Sequence, residues 1–218
     1  MTAFTFARPQ MAPDHAPAVS PARHKRVLDV ILILLALPVL LPVVGLLALL
    51  VRITSRGPVL FFQTRVGKNG RRFRMVKFRS MYPDAEARRA ALLAQSDRDG
   101  LCFKHKDDPR VTPVGRFLRR SSLDELPQLW NVLVGDMSLV GPRPALPEEV
   151  ARYSPEAMQR LAGLPGLTGL WQVSGRADIG FDQMVALDIA YLRTASLRGD
   201  LALILRTFGA VAAARGAY

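Results

Sequence analysis

The sequence predicts an α/β chain, mostly helical with one small β-hairpin, attached to a membrane by an N-terminal apolar segment. Three observations predict it. An almost unbroken apolar run extends from Val27 to Val51. Two aromatic-rich, roughly alternating stretches flank a glycine turn between residues 59 and 79, and most of the chain beyond residue 79 has helical spacing.

The 218 residues leave room for one ordinary domain with a core, plus an appendage. At 50% hydrophobic the chain is too apolar for disorder and too polar for a polytopic transporter. A net charge of +12 suits an anionic partner: nucleic acid, an acidic membrane surface or a phosphorylated substrate. Composition does not choose among them. The single cysteine, Cys102, rules out an intramolecular disulfide and offers no CxxC pattern.

Residues 1–24 read as a disordered tail, with Pro9, Pro13, Pro17 and Pro21 among Ala, Ser and His and no apolar period. The apolar run comes too late, and without a small-residue cleavage site, for a secretory signal. Residues 25–56 form the membrane segment. Roughly twenty apolar residues are enough to cross a bilayer, so a transmembrane helix is the first hypothesis. Pro38, Pro42 and Gly45 interrupt its middle, and each proline removes a backbone donor and bends the helix. Both flanks are basic, with Arg23, His24, Lys25 and Arg26 before the run and Arg52 and Arg56 after it, which holds both ends on the cytoplasmic side. A helix that enters, breaks at Pro38 and Pro42 and leaves by the same face satisfies both observations and is preferred to a straight span. A buried core helix comes third.

Residues 57–218 form the remaining domain. VLFFQTRV and RFRMVKFR make a hairpin around Gly67-Lys68-Asn69-Gly70. Residues 84–95 favour an amphipathic helix, and 96–110 a polar loop. Thr112-Pro113 reads as an N-cap and first helical residue, opening a short basic helix through Arg120. LDELPQLWNVLV is expected to be helical, with Leu126, Leu129, Trp130 and Leu133 on one face. GDMSLVGPRPALP is dense in turn formers, 148–162 reads as helix, and LPGLTGLWQVSGR as an irregular glycine-rich segment. Helices over about 181–194 and 199–214 close the chain.

Asp124-Glu125 is the first constellation able to carry chemistry. Adjacent carboxylates on a helix point about 100° apart, so one can attack while the other holds a metal or a proton. Helix capping is the commoner explanation of such a pair, and Ser122 three residues before Glu125 fits a capping box. Pro127 weakens that explanation, because a cap at Ser122 puts proline in the second turn. Arg116, Arg119 and Arg120 lie upstream, and Gly141-Pro142-Arg143-Pro144 holds its arginine on a stiff backbone suited to phosphate. A solvated basic face accounts for the same arginines equally well. Lys77 and Arg79, closing the hairpin, can meet a nucleotide or a lipid phosphate, or be a polar strand edge. Trp171, Gln172 and Arg176 are open between core, membrane anchor and substrate contact. The three histidines support no metal-ligand spacing, and there is no P-loop or dinucleotide fingerprint.

KFRSM, DPRVTPVGRFLRRSSLDELPQLWNVLVGDMSLVGPRP and LPGLTGLWQVSGR, taken together, resemble the bacterial sugar transferase family, the monotopic polyprenyl-phosphate phosphoglycosyl transferases. The match runs from about Lys25 to Tyr218. The resemblance implies a catalytic domain on the cytoplasmic face of the bacterial inner membrane, held by the re-entrant helix and by amphipathic helices lying in the interface. It also implies a Mg²⁺-dependent reaction in two steps. Asp124 attacks the β-phosphate of a UDP-sugar and UMP leaves; polyprenyl phosphate then takes the phosphosugar from the aspartate. Glu125 matches the second acidic residue of the family's dyad, with an implied role in metal binding or proton handling, and Asp124 and Glu125 are carried as the metal ligands. Arg119 and Arg143 match the family's phosphate-binding arginines. Lys77, Arg79, Gln172 and Arg176 are carried as substrate contacts. The implied partners are the UDP-sugar, polyprenyl phosphate and membrane lipid; a homo-oligomer is admitted and nucleic acid is not expected. The likeness to exopolysaccharide-initiating members favours a hexose, glucose or galactose, over an N-acetylated sugar. Where several members carry Ser-Pro at the helix break, this chain has Leu41-Pro42, which leaves the break but not the serine's hydrogen bond. Larger relatives add a multi-span N-terminal region, so the minimal catalytic form is expected. A competing reading, a membrane-anchored basic protein binding nucleic acid or anionic lipid, leaves the acidic pair and the Gly-Pro-Arg-Pro loop without a job.

Overall fold

A computed structural model describes residues 22–85, 87–88, 108–175 and 179–212. The tail before residue 22, most of the helix and loop expected over 84–110, and Arg176 lie outside the described residues.

Helix α1 (Ala22–Thr54) is followed by the hairpin β1 (Leu60–Val66) and β2 (Arg72–Phe78). Next come α2 (Pro113–Arg120), a 3₁₀ turn over Leu123–Gln128, α3 (Leu129–Val134) and β3 (Ser138–Val140). The remainder is α4 (Pro147–Val150), α5 (Pro155–Met158), a 3₁₀ turn over Gln159–Ala162, β4 (Gly166–Thr168), α6 (Leu170–Val173), α7 (Phe181–Thr194) and α8 (Leu197–Ala212). The fold is mostly helical with very little sheet, as the sequence predicts.

At about 1.5 Å per residue, the 33 residues of α1 exceed what a bilayer core requires. The expected break is not an interruption: the chain stays helical through Pro38 and Pro42. A proline costs a helix one hydrogen bond and adds a clash, which bending relieves without unwinding. Both halves of α1 rest on the same domain. Ile33 packs with Phe73, Met75, Val132 and Met137, while Leu47 and Val51 pack with Phe78 and Leu118. Between these contacts Leu34, Leu35, Val39, Leu41 and Leu46 are exposed, an apolar surface that needs apolar surroundings. The N-terminal end is anchored by polar contacts: Asp29 accepts from Ser138 Oγ at 2.7 Å, and Lys25 pairs with the buried Asp200 of α8.

The hairpin forms where expected, in the register Leu60↔Phe78 to Val66↔Arg72, with Asn69 at φ 56 in its turn. Thr112 caps α2 as read from sequence, its hydroxyl accepting from Gly115 N at 2.9 Å. Three expectations differ. The 148–162 helix is three short pieces, because Pro155 ends one turn and opens the next. Trp130 does not share the core face of its helix and is 64% exposed, since Leu129, Val132 and Leu133 are the residues that turn toward Phe73 and Met75. The glycine-rich segment contains β4, which pairs in parallel with β3. Its glycines are there for close approach: a Cβ on Gly166 would lie 2.0 Å from Gly141 N, and one on Gly169 would lie 2.3 Å from Gly141 O.

Candidate active site

The acidic pair stands on the 3₁₀ turn between α2 and α3. Ser122 enters it at φ 55, a left-handed conformation that is costly for serine, and its side chain makes no capping hydrogen bond. Capping therefore does not explain Asp124 and Glu125. The tight turn sends the two carboxylates to different neighbours. Glu125, half-buried, takes Lys77 Nζ of β2 on Oε1 at 2.6 Å. Asp124 is only 7% exposed and forms no ion pair among the described residues.

Their environments separate them. Burial pushes the Asp124 carboxyl up to about 6, helped by the Glu125 charge and opposed by Lys77 and Arg119. Burial works on Glu125 too, but the Lys77 ammonium, with Arg143 and Arg65 behind it, outweighs it and holds that carboxyl below its usual range.

The cations arrive from four elements. Lys77 lies on β2 and Arg65 on β1. Arg119 lies in the last turn of α2, its Nε donating to Ser80 Oγ at 3.1 Å. Arg143 follows β3 in the Gly-Pro-Arg-Pro loop and pairs with the buried Glu149 of α4 at 3.1 Å. Glu149 also accepts from Leu146 N at 2.8 Å, and Arg65 Nη1 donates to Pro144 O at 3.1 Å. Beneath the loop, Arg160 and Asp188 form an ion pair with each side chain 1% exposed. Asp188 accepts from the Arg143 backbone, and Arg160 Nη2 donates to Arg143 O at 3.5 Å. The arginine that reads as a phosphate contact is thus fixed at both its backbone and its side chain.

Of the residues singled out from sequence, Asp124, Glu125, Lys77, Arg119 and Arg143 come together. Arg79 lies apart, at the end of α1, where its Nη2 donates to Ser55 O and Oγ. Gln172 of α6 sits against Gly169, its Oε1 buried without a hydrogen-bond partner among the described residues. Arg65, Glu149 and the Arg160–Asp188 pair were missed. No motif marks them, and only the tertiary approach of β1, α4 and α7 to the loop gives them a role. Among the described residues no three His, Cys, Asp or Glu side chains cluster as a metal cage. A pair of carboxylates amid cations instead fits Mg²⁺, which is usually held by one or two carboxylates together with substrate phosphates.

The family model for the bacterial sugar transferases matches residues 20–214. The chain belongs to the bacterial sugar transferase family. That match takes in α1, the dyad and every cation just described. Among bacterial sugar transferases, the chain is 50% identical to the Galactosyl transferase CpsE of Streptococcus agalactiae over 74% of its own length and 36% of that protein's. It therefore spans about a third of that relative. It is 40% identical to the Exopolysaccharide production protein ExoY of Sinorhizobium fredii, over 94% of each chain. It is 41% identical to the UDP-glucose:undecaprenyl-phosphate glucose-1-phosphate transferase of Caulobacter vibrioides, over 93% of its own length and 74% of that protein's.

Proposed function

We propose that this sugar transferase moves a hexose-1-phosphate from a UDP-sugar to polyprenyl phosphate, the first membrane step of an exopolysaccharide. The observation that carries the reading is Asp124: a buried carboxylate without an ion pair among the described residues, beside a Lys77–Glu125 pair and within the field of Arg119, while Arg143 and Arg65 act on its neighbour Glu125. A carboxylate pushed up to about 6 is ionised at neutral pH yet more basic, and so more nucleophilic, than an exposed aspartate.

In the first step an Asp124 oxygen bonds to the β-phosphorus of the donor, and the bond from that phosphorus to the bridging oxygen breaks. UMP leaves with the bridging oxygen and its electron pair, and the sugar phosphate stays on the aspartate as an acyl phosphate. In the second step a phosphate oxygen of the lipid bonds to the same phosphorus and the aspartate leaves as carboxylate. Lys77, Arg119 and Arg143 offset the charge on the transferring group, which is most of what phosphoryl transfer asks of a protein. Mg²⁺, held by Asp124 and Glu125, would neutralise diphosphate charge. The chemistry takes place on the cytoplasmic face of the inner membrane, with α1 re-entrant. Two supports for that topology are the basic flanks of α1 and the packing of both its halves on one domain.

The test is UMP release from a panel of UDP-sugars, with and without undecaprenyl phosphate and Mg²⁺, for the native chain and Asp124→Asn. Release that needs lipid and metal, selects one hexose and is lost in the variant supports the reading. Near-full turnover without Asp124 would sink the covalent mechanism, and no turnover with any sugar would sink the transferase reading.

A further inference from the structure

Arg79 is buried like a core residue and left without a counter-ion among the described residues. It is 7% exposed, and its Nη2 donates to the Ser55 carbonyl and hydroxyl at 2.8 and 2.7 Å. Its Nε and Nη1 are shut away from solvent and meet no acceptor among the described residues. Burial and the nearby Arg52 charge both pull its pKa below the ordinary arginine value. Buried charges are normally paired, and buried donors normally satisfied. The backbone is shaped around this guanidinium, since a Cβ on Gly57, at φ +118, would lie 2.3 Å from Arg79 Nη1. The second structural fact is location. Ser55 is the residue just past the membrane helix, and Arg52 lies one turn before it. Arg79 also continues the β2 ladder, its N donating to Val59 O at 2.9 Å. It therefore follows Lys77 by two residues on the same strand face, about 7 Å along. The adjoining Ser80 hydroxyl takes Arg119 Nε. A line of cations thus leads from the foot of α1 to the Asp124–Glu125 dyad.

We propose that Arg79, with Arg52 beside it, is the docking point for the phosphate monoester of the lipid acceptor as it enters from the bilayer. This rests on the transferase reading above and names the side from which the second substrate arrives. A phosphate oxygen supplies the missing acceptor for a buried donor, and its charge offsets two cations that otherwise repel. Arriving at the foot of α1, the lipid keeps its chain in the membrane while its phosphate sits one strand step from Lys77, the lysine that pairs with Glu125.

The experiment uses the full chain in phosphatidylcholine nanodiscs, native and as Arg52→Gln and Arg79→Lys. Undecaprenyl phosphate, phosphatidylglycerol and inorganic phosphate are compared, first by thermal unfolding without UDP-sugar and then by steady-state turnover. The expected result is stabilisation of the native chain by undecaprenyl phosphate and not by equal phosphatidylglycerol or phosphate. In Arg79→Lys that shift is lost, and KM for the lipid rises about tenfold while KM for the donor stays put; the equivalent rise in Arg52→Gln is about threefold. An unchanged lipid KM and thermal shift in both variants would overturn the site. So would an equal rise in donor KM, or an equal response to phosphatidylglycerol, which would make it a general lipid anchor. If Arg79→Lys does not fold, Arg52→Gln and the lipid comparison on the native chain decide. Failure of the native chain to turn over any donor counts against the transferase reading, and the shift measured without donor still decides the site.

Discussion

Lys77 Nζ lies 2.6 Å from Glu125 Oε1, joining strand β2 to the turn that carries Asp124. The lysine holds one of two neighbouring carboxylates ionised while burial pushes the other up to about 6. Separated titration of adjacent acids is how a site assigns them different roles. Here it suits Asp124 to the proposed role of nucleophile and keeps Glu125 as its charged partner.

Turnover should fall on the acid side of about pH 6, tenfold per unit well below it, as Asp124 takes up a proton. Because Lys77 lowers the Asp124 pKa, Lys77→Met should move that limb to higher pH. It should also cut kcat by roughly 10²–10³, the usual effect of losing one preorganised charge contact. A pH profile of UMP release for both proteins checks the two shifts together, and an unmoved limb in Lys77→Met would contradict them.

Asp124→Asn should abolish turnover and stabilise the fold at neutral pH. A folded pKa of about 6 lies above the ordinary 3.8, so Asp124 contributes stability that is complete below 3.8 and lost as pH rises through 6. At pH 7.5 the variant should gain on the order of 1–3 kcal/mol by removing a buried charge, and the gain should vanish near pH 4. Thermal unfolding at the two pH values decides it.

The Arg160–Asp188 pair should be costly to break and cheap to replace. Asp188→Asn strands a guanidinium that is 1% exposed, for a loss of about 3–5 kcal/mol. The double variant Arg160→Met, Asp188→Leu should recover much of that stability, yet stay slow because the Arg143 backbone has lost its hold. Denaturant melts read beside kcat/KM separate the two effects.

Topology is tested by labelling. In a Cys102→Ser background, Ser20→Cys and Arg56→Cys should both react only from the cytoplasmic side. Periplasmic labelling of either one would mean a true span.

Much of the site was legible along the chain because its residues cluster there. Asp124-Glu125, Arg119 and the Gly-Pro-Arg-Pro loop fall within twenty-six residues, and Lys77 closes a hairpin that its own alternation announces. Arg65 was not, because nothing local distinguishes it in VLFFQTRV from an ordinary strand arginine; only its reach to Pro144 O does. Glu149 reads as one of two acids opening a helix, and Asp188 as a polar residue on an amphipathic one. Both become parts of the site when α4 and α7 fold against Arg143.

Apolar length, alternation, capping and residue identity are properties of consecutive residues. The chain order alone therefore specified the membrane segment, the hairpin, the Thr112-capped helix and the acidic pair. Folding in three dimensions was needed to bring β3 and β4 together through bare glycine backbones, to turn Trp130 outward, and to bury Arg79 at the foot of α1. It also selected which of two adjacent carboxylates is left without an ion pair among the described residues. Burial and pairing arise between segments far apart in the chain, so no window of sequence contains them.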